Sequence, residues 1–128
     1  MIVLDASAAT ELVLRTPRGA RVNTRIGVET LHVPHVLDLE VCSALRSLER
    51  LRQITTPDAS QAIDDFLAVD FIRHSHELFV MRIWELRHNA APYDAMYLAL
   101  AEVLPAPIVT CDAKLARTPG HRATIEVL

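Results

Sequence analysis

Two aspartates closely follow short apolar runs of the kind that form buried strands. Asp5 comes after IVL at 2–4, and Asp112 lies two residues beyond PIVT at 107–110. A buried strand gains nothing by ending in a charge, so a carboxylate there indicates chemistry or the capping of a following helix. If both strands belong to one parallel sheet, their carboxyl ends meet at the edge where such sheets form their sites.

Glu40 and Asp94 each fall in the first turn of a predicted helix. Each of the four acids also has a purely structural alternative. Asp5 and Asp94 could cap the helices that follow them. Asp112 could be a turn residue, and Glu40 could be a solvated acid on a helix face. Two strand-end acids at one sheet edge are nevertheless more than capping alone requires.

Four carboxylates in one cleft would repel one another, since a like-charge pair about 4 Å apart costs about 4 kcal/mol at an effective dielectric of about 20. Either some stay protonated or a divalent cation neutralises them. An all-oxygen ligand set suits Mg²⁺ or Mn²⁺, and the chemistry that follows is phosphodiester hydrolysis by a metal-activated water. Ser7 and Thr110 lie two residues from Asp5 and Asp112, so their hydroxyls could support the carboxylates or act only as a cap and a strand residue.

Apolar periodicity and turn signals predict short strands alternating with helices along the whole chain. The predicted strands cover 2–4, 31–34, 71–74, 107–110 and 123–127. The predicted helices cover 8–15, 18–30, 37–52, 56–69, 76–88 and 93–104. This alternation predicts an α/β fold in which a mainly parallel, twisted sheet of four or five short strands is flanked by helices. We expect residues 1–128 to form one domain, because 128 residues suit one domain and are too few for two.

The composition limits the remaining possibilities. Hydrophobic residues make up 51% of the chain, yet no apolar run approaches the roughly 20 residues that span a bilayer, and the start does not resemble a signal peptide. We therefore expect a soluble, cytoplasmic protein. Cys42 and Cys111 lie far apart in apolar surroundings and are expected to be small buried hydrophobes. The six histidines are expected to have surface or capping roles. The formal charge of −3 excludes a generally polyanion-binding surface.

Four segments together resemble the PIN-domain ribonucleases and, among them, the VapC-type toxins of type II toxin–antitoxin pairs. They are IVLDASA at 2–8, VPHVLDLEVCSALR at 33–46, APYDAMYLALA at 91–101 and PIVTCDAKLA at 107–116. They occur in the family's order and span nearly the whole chain.

The resemblance implies a PIN-like parallel sheet, an acidic Mg²⁺ or Mn²⁺ site and cleavage of RNA. It implies that the family's four acids correspond to Asp5, Glu40, Asp94 and Asp112. It also implies that the supporting hydroxyls are those of Ser7 and Thr110. Members of this family commonly form homodimers and bind a cognate antitoxin protein, so both partners are expected here.

Other functions that use acids on a similar sheet fit less well. A haloacid-dehalogenase-type phosphatase needs a second aspartate two residues after the first, where this chain has Ser7. A receiver domain needs a lysine well beyond its phosphoacceptor, but the one lysine, Lys114, follows Asp112 closely. A catalytically silent binding module, whose acidic cleft docks a basic partner segment, remains an alternative.

Overall fold

The computed structural model describes residues 1–128 and contains one five-stranded sheet. Its strands are β1 (Ile2–Leu4), β2 (Leu31–Pro34), β3 (Phe71–His74), β4 (Ile108–Thr110) and β5 (Ile125–Val127). Its α-helices are α1 (Ala6–Val13), α2 (Pro17–Ile26), α3 (Leu37–Arg50), α4 (Thr56–Ala68), α5 (Val80–Glu85) and α6 (Pro92–Val103). The predicted alternation of strands and helices is therefore confirmed along the whole chain.

The strands lie in the order β3-β2-β1-β4-β5, and every neighbouring pair is parallel. All five carboxyl ends consequently lie at one edge of the sheet. The strand order reverses between β1 and β4, because the chain first adds strands on one side of β1 and later on the other. A crevice opens at such a reversal, beyond the carboxyl ends of the two strands, and this is where doubly wound sheets bind ligands.

Helix α6 crosses β1, β2 and β4 and is buried almost all the way round. Every residue from Ala95 to Ala101 is buried, which the apolar sequence MYLALA explains. Pro92 begins the helix and lacks only an N–H that the first turn would leave unpaired. Because the helix is held on all sides, Asp94 in its first turn is carried by a rigid element.

Helices α1 and α2 approach each other closely enough to require a glycine. A Cβ on Gly19 would lie 2.0 Å from the Glu11 carbonyl oxygen, which is far inside van der Waals contact. The hydroxyl of Thr16 caps α2 by accepting a hydrogen bond from the Gly19 N–H. This tight turn fixes the end of α1, whose first residues follow Asp5.

The predicted helix over 76–88 is wrong in form. The segment is instead a 3₁₀ helix, Glu77–Phe79, followed by the short α5, and no residue of α5 is buried. Phe79 and Leu86 reach the core, while Trp84 remains 62% exposed. Helix α4 begins at Thr56 as predicted, and Thr55 is its N-cap. None of the six helices combines the length and the apolar character needed to cross a membrane.

Candidate functional site

Asp5 lies at the end of β1 in the crevice beside β4, and its side chain is held by three donors. Its Oδ1 accepts hydrogen bonds from the Ala8 N–H at 2.9 Å and the Ser7 hydroxyl at 2.7 Å. Its Oδ2 accepts one from the Thr110 hydroxyl at 2.6 Å. Asp5 is therefore the N-cap of α1, as the structural alternative stated, but capping uses one oxygen only. Capping explains neither the hydrogen bond to the second oxygen nor the burial of the residue, which is only 7% exposed.

The hydroxyls of Ser7 and Thr110 join the two strand ends. Ser7 Oγ accepts a hydrogen bond from the Cys111 N–H at 2.8 Å, and Thr110 Oγ1 accepts one from the Asp112 N–H at 2.9 Å. The two hydroxyl oxygens lie 3.1 Å apart. Because each hydroxyl proton points to Asp5, neither oxygen needs the other as a partner. This network fixes the segment after β4 against the start of α1.

Glu40 projects from the first turn of α3 and is half-buried, so it is not the solvated acid of the structural alternative. The Tyr97 hydroxyl of α6 donates to Glu40 Oε2 at 2.7 Å. Sequence reasoning did not single out Tyr97 as a functional residue. The available signal was spacing, since Tyr97 lies three residues after Asp94 and so shares its face of the helix.

Asp94 and Asp112 are the two exposed acids of the group. Asp94 accepts no hydrogen bond from any other residue of the chain and does not cap α6. Asp112 Oδ1 accepts a hydrogen bond from the Lys114 N–H at 2.8 Å, so the turn alternative also holds. The Asp94 carboxylate thus has no hydrogen-bond partner, whereas each of the other three acids accepts at least one hydrogen bond.

Burial and mutual repulsion raise the pKa of three of the four acids. Burial is the largest cause for Asp5, opposed by the bonds from Thr110, Ala8 and Ser7, and the Asp112 charge raises its pKa further. Although Asp94 as a residue is exposed, partial desolvation of its carboxylate is the largest cause of its raised pKa. The charges of Asp112 and Asp5 raise that pKa further.

Burial likewise raises the pKa of Glu40, while the Tyr97 hydrogen bond lowers it and the charges of Asp94 and Asp5 raise it. The charges of Asp5, Asp94 and Asp112 therefore lie close enough to raise the pKa of a neighbouring acid. Their side chains are nevertheless not closed into a ligand cage, since no three His, Cys, Asp or Glu side chains are arranged to hold an ion directly. A Mg²⁺ site made mostly of waters and substrate phosphate does not require such a cage.

No histidine or cysteine side chain forms a hydrogen bond to the four acids. His76 Nε2 accepts a hydrogen bond from the Val36 N–H at the start of α3, and His32 and His74 hydrogen-bond through their rings at 2.9 Å. Both cysteines are unpaired, but the expectation that Cys42 is buried is wrong, because it lies on the exposed face of α3. Cys111 is half-buried beside Ser7.

Comparison with known proteins agrees with this architecture. The family model described as the PIN domain matches residues 2–121. Ribonuclease VapC12 of Mycobacterium tuberculosis is 41% identical over 128 residues, which is all of this chain and 99% of the relative. Ribonuclease VapC9 of the same organism is 37% identical over all of this chain and 98% of its own length.

Two solved structures share the fold. PAE2754 from Pyrobaculum aerophilum has a TM-score of 0.70 and 26% identity, covering 98% of this chain and 83% of that protein. VapC20 of Mycobacterium tuberculosis, described as a sarcin-ricin loop cleaving toxin, has a TM-score of 0.64 and 16% identity, covering 95% of this chain and 97% of its own. The parallel sheet with acids at its carboxyl edge and the full-length match to these relatives show that the chain belongs to the PIN-domain family, in its VapC branch.

Proposed function

We propose that this protein is a divalent-metal-dependent endoribonuclease that acts as the toxin of a toxin–antitoxin pair. The observation that carries the proposal is the meeting of four acids from β1, α3, α6 and the segment after β4 at the strand-order reversal. The names of relatives such as Ribonuclease VapC12 indicate RNA as the substrate. Hydrolysis of phosphodiester bonds is the reaction that this donor set suits.

The residues fit Mg²⁺ or Mn²⁺ by the chemistry of their donors, since every candidate ligand is a carboxylate oxygen. Asp5, Asp94, Asp112 and Glu40 would hold the metal, directly or through water. Burial is the largest cause of the raised pKa values of three of them and repulsion between the acids adds to it, so a cation would offset both effects. A bound divalent cation supplies an activated water and stabilises charge on the phosphate oxygens.

The four acids are held in different ways, and this difference suits them to different roles in the proposed reaction. Asp5 is kept in one orientation by Ser7 and Thr110. Asp94, without a partner in the chain, is the most available ligand. Glu40 has Oε2 occupied by the Tyr97 hydroxyl, which leaves Oε1 to orient the attacking water or accept its proton. Because Thr110 also accepts from the Asp112 N–H, one hydroxyl positions two of the acids.

The proposed partners are a cognate antitoxin protein and a second copy of the chain in a homodimer. The 77–85 segment supports a protein interface, since Leu78, Met81 and Trp84 are 89%, 73% and 62% exposed. Exposed apolar side chains in such proximity are typical of a surface that another protein covers.

Cleavage of a mixed pool of structured RNAs tests the enzymatic proposal. The native chain should cleave RNA with Mg²⁺ or Mn²⁺ and not with EDTA, and Asp94→Asn should remove the activity with the fold intact. Asp64→Asn is the matched control, because Asp64 is exposed on α4, outside the acid cluster, and makes no side-chain hydrogen bond or ion pair. Metal-dependent cleavage that persists in Asp94→Asn would refute the site. Absence of cleavage in the folded, metal-loaded chain would favour the silent binding module.

A further inference from the structure

Tyr93 is an exposed aromatic side chain directly beside Asp94. It is 58% exposed, although it opens a helix whose next residues are almost all buried. Its ring borders two shallow hollows, of about 190 and 360 Å³. Ile83 and Met96 line the smaller one, and Leu39 and Glu40 line the larger one. Tyr93 therefore lies between a largely apolar hollow and a hollow that it shares with Glu40 of the acid site, and more than half of it is open to solvent.

A separate depression, of about 440 Å³, borders Asp94 and is also lined by Lys114 and Arg117. Both cations are exposed, and neither forms an ion pair. By contrast, Arg25 and Arg82 are each held by a carboxylate in a two-pronged contact. Lys114 and Arg117 therefore keep their charge available beside an acidic cluster, where a polyanion would otherwise be repelled.

Tyr93 lines one hollow together with Glu40 and precedes Asp94 in the chain, while Asp94 itself borders the cationic depression. An RNA strand whose phosphate reaches the acids can therefore contact both features. Resting on the proposed function, we propose that Tyr93 stacks on an unpaired base of the RNA while Lys114 and Arg117 contact a neighbouring phosphate. Bases inside a duplex do not offer a free face to an aromatic side chain, whereas unpaired bases do. The same pairing of stacking and charge occurs where proteins hold single strands.

Binding is measured separately from cleavage, so that this inference and the proposed ribonuclease activity can fail independently. The probe is a fluorescent single-stranded RNA of mixed sequence, about 12 nucleotides long, within the usual length of single-strand sites. An abasic strand of the same length keeps the phosphates and lacks the bases. Affinities are measured by fluorescence anisotropy in EDTA, where the RNA stays intact whichever divalent metal supports cleavage.

Stacking predicts that Tyr93→Ala weakens binding of the base-bearing strand by about 5- to 100-fold and leaves binding of the abasic strand unchanged. Tyr93→Phe, which keeps the ring, should bind like the native chain. The phosphate contact predicts that the Lys114→Gln, Arg117→Gln double variant lowers the slope of log affinity against log salt by about 0.7 for each phosphate released. Tyr93→Ala should leave that slope unchanged.

Arg50→Gln is the control for charge alone, because Arg50 is exposed and unpaired and lies about 15 Å along α3 from Glu40. It should change the slope less than the double variant does. Equal affinity of native chain and Tyr93→Ala for the base-bearing strand would overturn the inference and assign this face to a protein partner. Absence of any RNA binding would overturn it as well. RNA binding with these variant effects but no cleavage in any metal would refute the proposed function alone.

Discussion

Replacing Thr110 by valine removes one hydroxyl and nearly preserves the shape of the side chain. That hydroxyl donates to Asp5 Oδ2 at 2.6 Å and accepts from the Asp112 N–H at 2.9 Å, and the residue is fully buried. Thr110→Val therefore leaves a buried carboxylate with one donor fewer and an amide without its acceptor.

The expected loss of stability follows from the negative charge of Asp5, which accepts the hydrogen bond from the Thr110 hydroxyl. A hydrogen bond to a charged group contributes about 1.5–3 kcal/mol, while water can replace part of the contact at the half-buried Asp112 amide. Thr110→Val should therefore lower the free energy of unfolding by about 2–3 kcal/mol. For a chain of this length that corresponds to a fall in Tm of roughly 10 °C. Activity or metal affinity should fall by about 10- to 100-fold, as for other groups that orient metal ligands.

The effect should depend on pH in a definite direction. The Thr110 hydrogen bond favours ionised Asp5 and so holds its pKa below the value it would have without that bond. The stability difference between native chain and Thr110→Val is therefore fully present where Asp5 is ionised in both. It should shrink as pH falls through the Asp5 titration, because protonated Asp5 gains less from the donor.

Denaturant unfolding of the metal-free protein at several pH values measures this difference, and Thr110→Ser is its control. Serine keeps the hydroxyl and loses only a buried methyl group, which costs about 1 kcal/mol and should not vary with pH. If Thr110→Val and Thr110→Ser lose the same stability at every pH, packing alone explains the site. The proposed orientation of Asp5 by Thr110 would then be wrong.

Three further predictions concern Asp94, the hydroxyl that donates to Glu40, and an ion pair outside the acid site. In metal-free protein, Asp94→Asn should raise the free energy of unfolding at neutral pH by less than about 1 kcal/mol, because the residue is exposed. Its raised folded-state pKa means that ionisation costs stability as pH rises, so the gain should vanish below the ordinary pKa of aspartate. Tyr97→Phe should cost about 1–2 kcal/mol and weaken catalysis, because Glu40 loses its donor. Arg82→Met should cost about 2–3 kcal/mol without a direct effect on RNA binding, since it leaves the Glu102 carboxylate, 5% exposed, without its cation.

Each of these has a result that would contradict it, in denaturant unfolding with cleavage measured alongside. A loss of stability in metal-free Asp94→Asn would mean that the carboxylate makes a favourable contact. Full activity in Tyr97→Phe would remove the hydroxyl from the site. A stability change below about 0.5 kcal/mol in Arg82→Met would show that the pair with Glu102 behaves like a surface ion pair.

The sequence predicts the fold well where local pattern and global architecture agree. The runs at 2–4, 31–34 and 71–74 are short, apolar and bounded by turn signals, and all three form strands. Parallel strands share one carboxyl edge, so the proximity of Asp5 and Asp112 follows from the sequence once the sheet is assigned. The strand order does not follow, because it depends on which long-range pairs bury the most surface.

The remaining differences arise where residue type does not reveal orientation. Cys42 follows buried Val41 on α3, yet the helix turns its thiol to solvent. The 76–88 segment has enough apolar residues for a buried helix, but only Phe79 and Leu86 are buried, and Ile83 packs against the core while partly exposed. The bond from Tyr97 to Glu40 joins residues far apart in the sequence, and only the folded arrangement of α3 and α6 brings them together.

The proposed function requires that the four acids bind a divalent cation and that RNA cleavage depends on that cation. The most direct measurement titrates Mn²⁺ into the native chain by calorimetry and follows the cleavage rate over the same Mn²⁺ range. Binding and cleavage rate should share one midpoint, and Asp94→Asn should lose both, while Asp64→Asn keeps both. Cleavage that proceeds fully before Mn²⁺ binds, or Mn²⁺ binding that Asp94→Asn leaves unchanged, would contradict it.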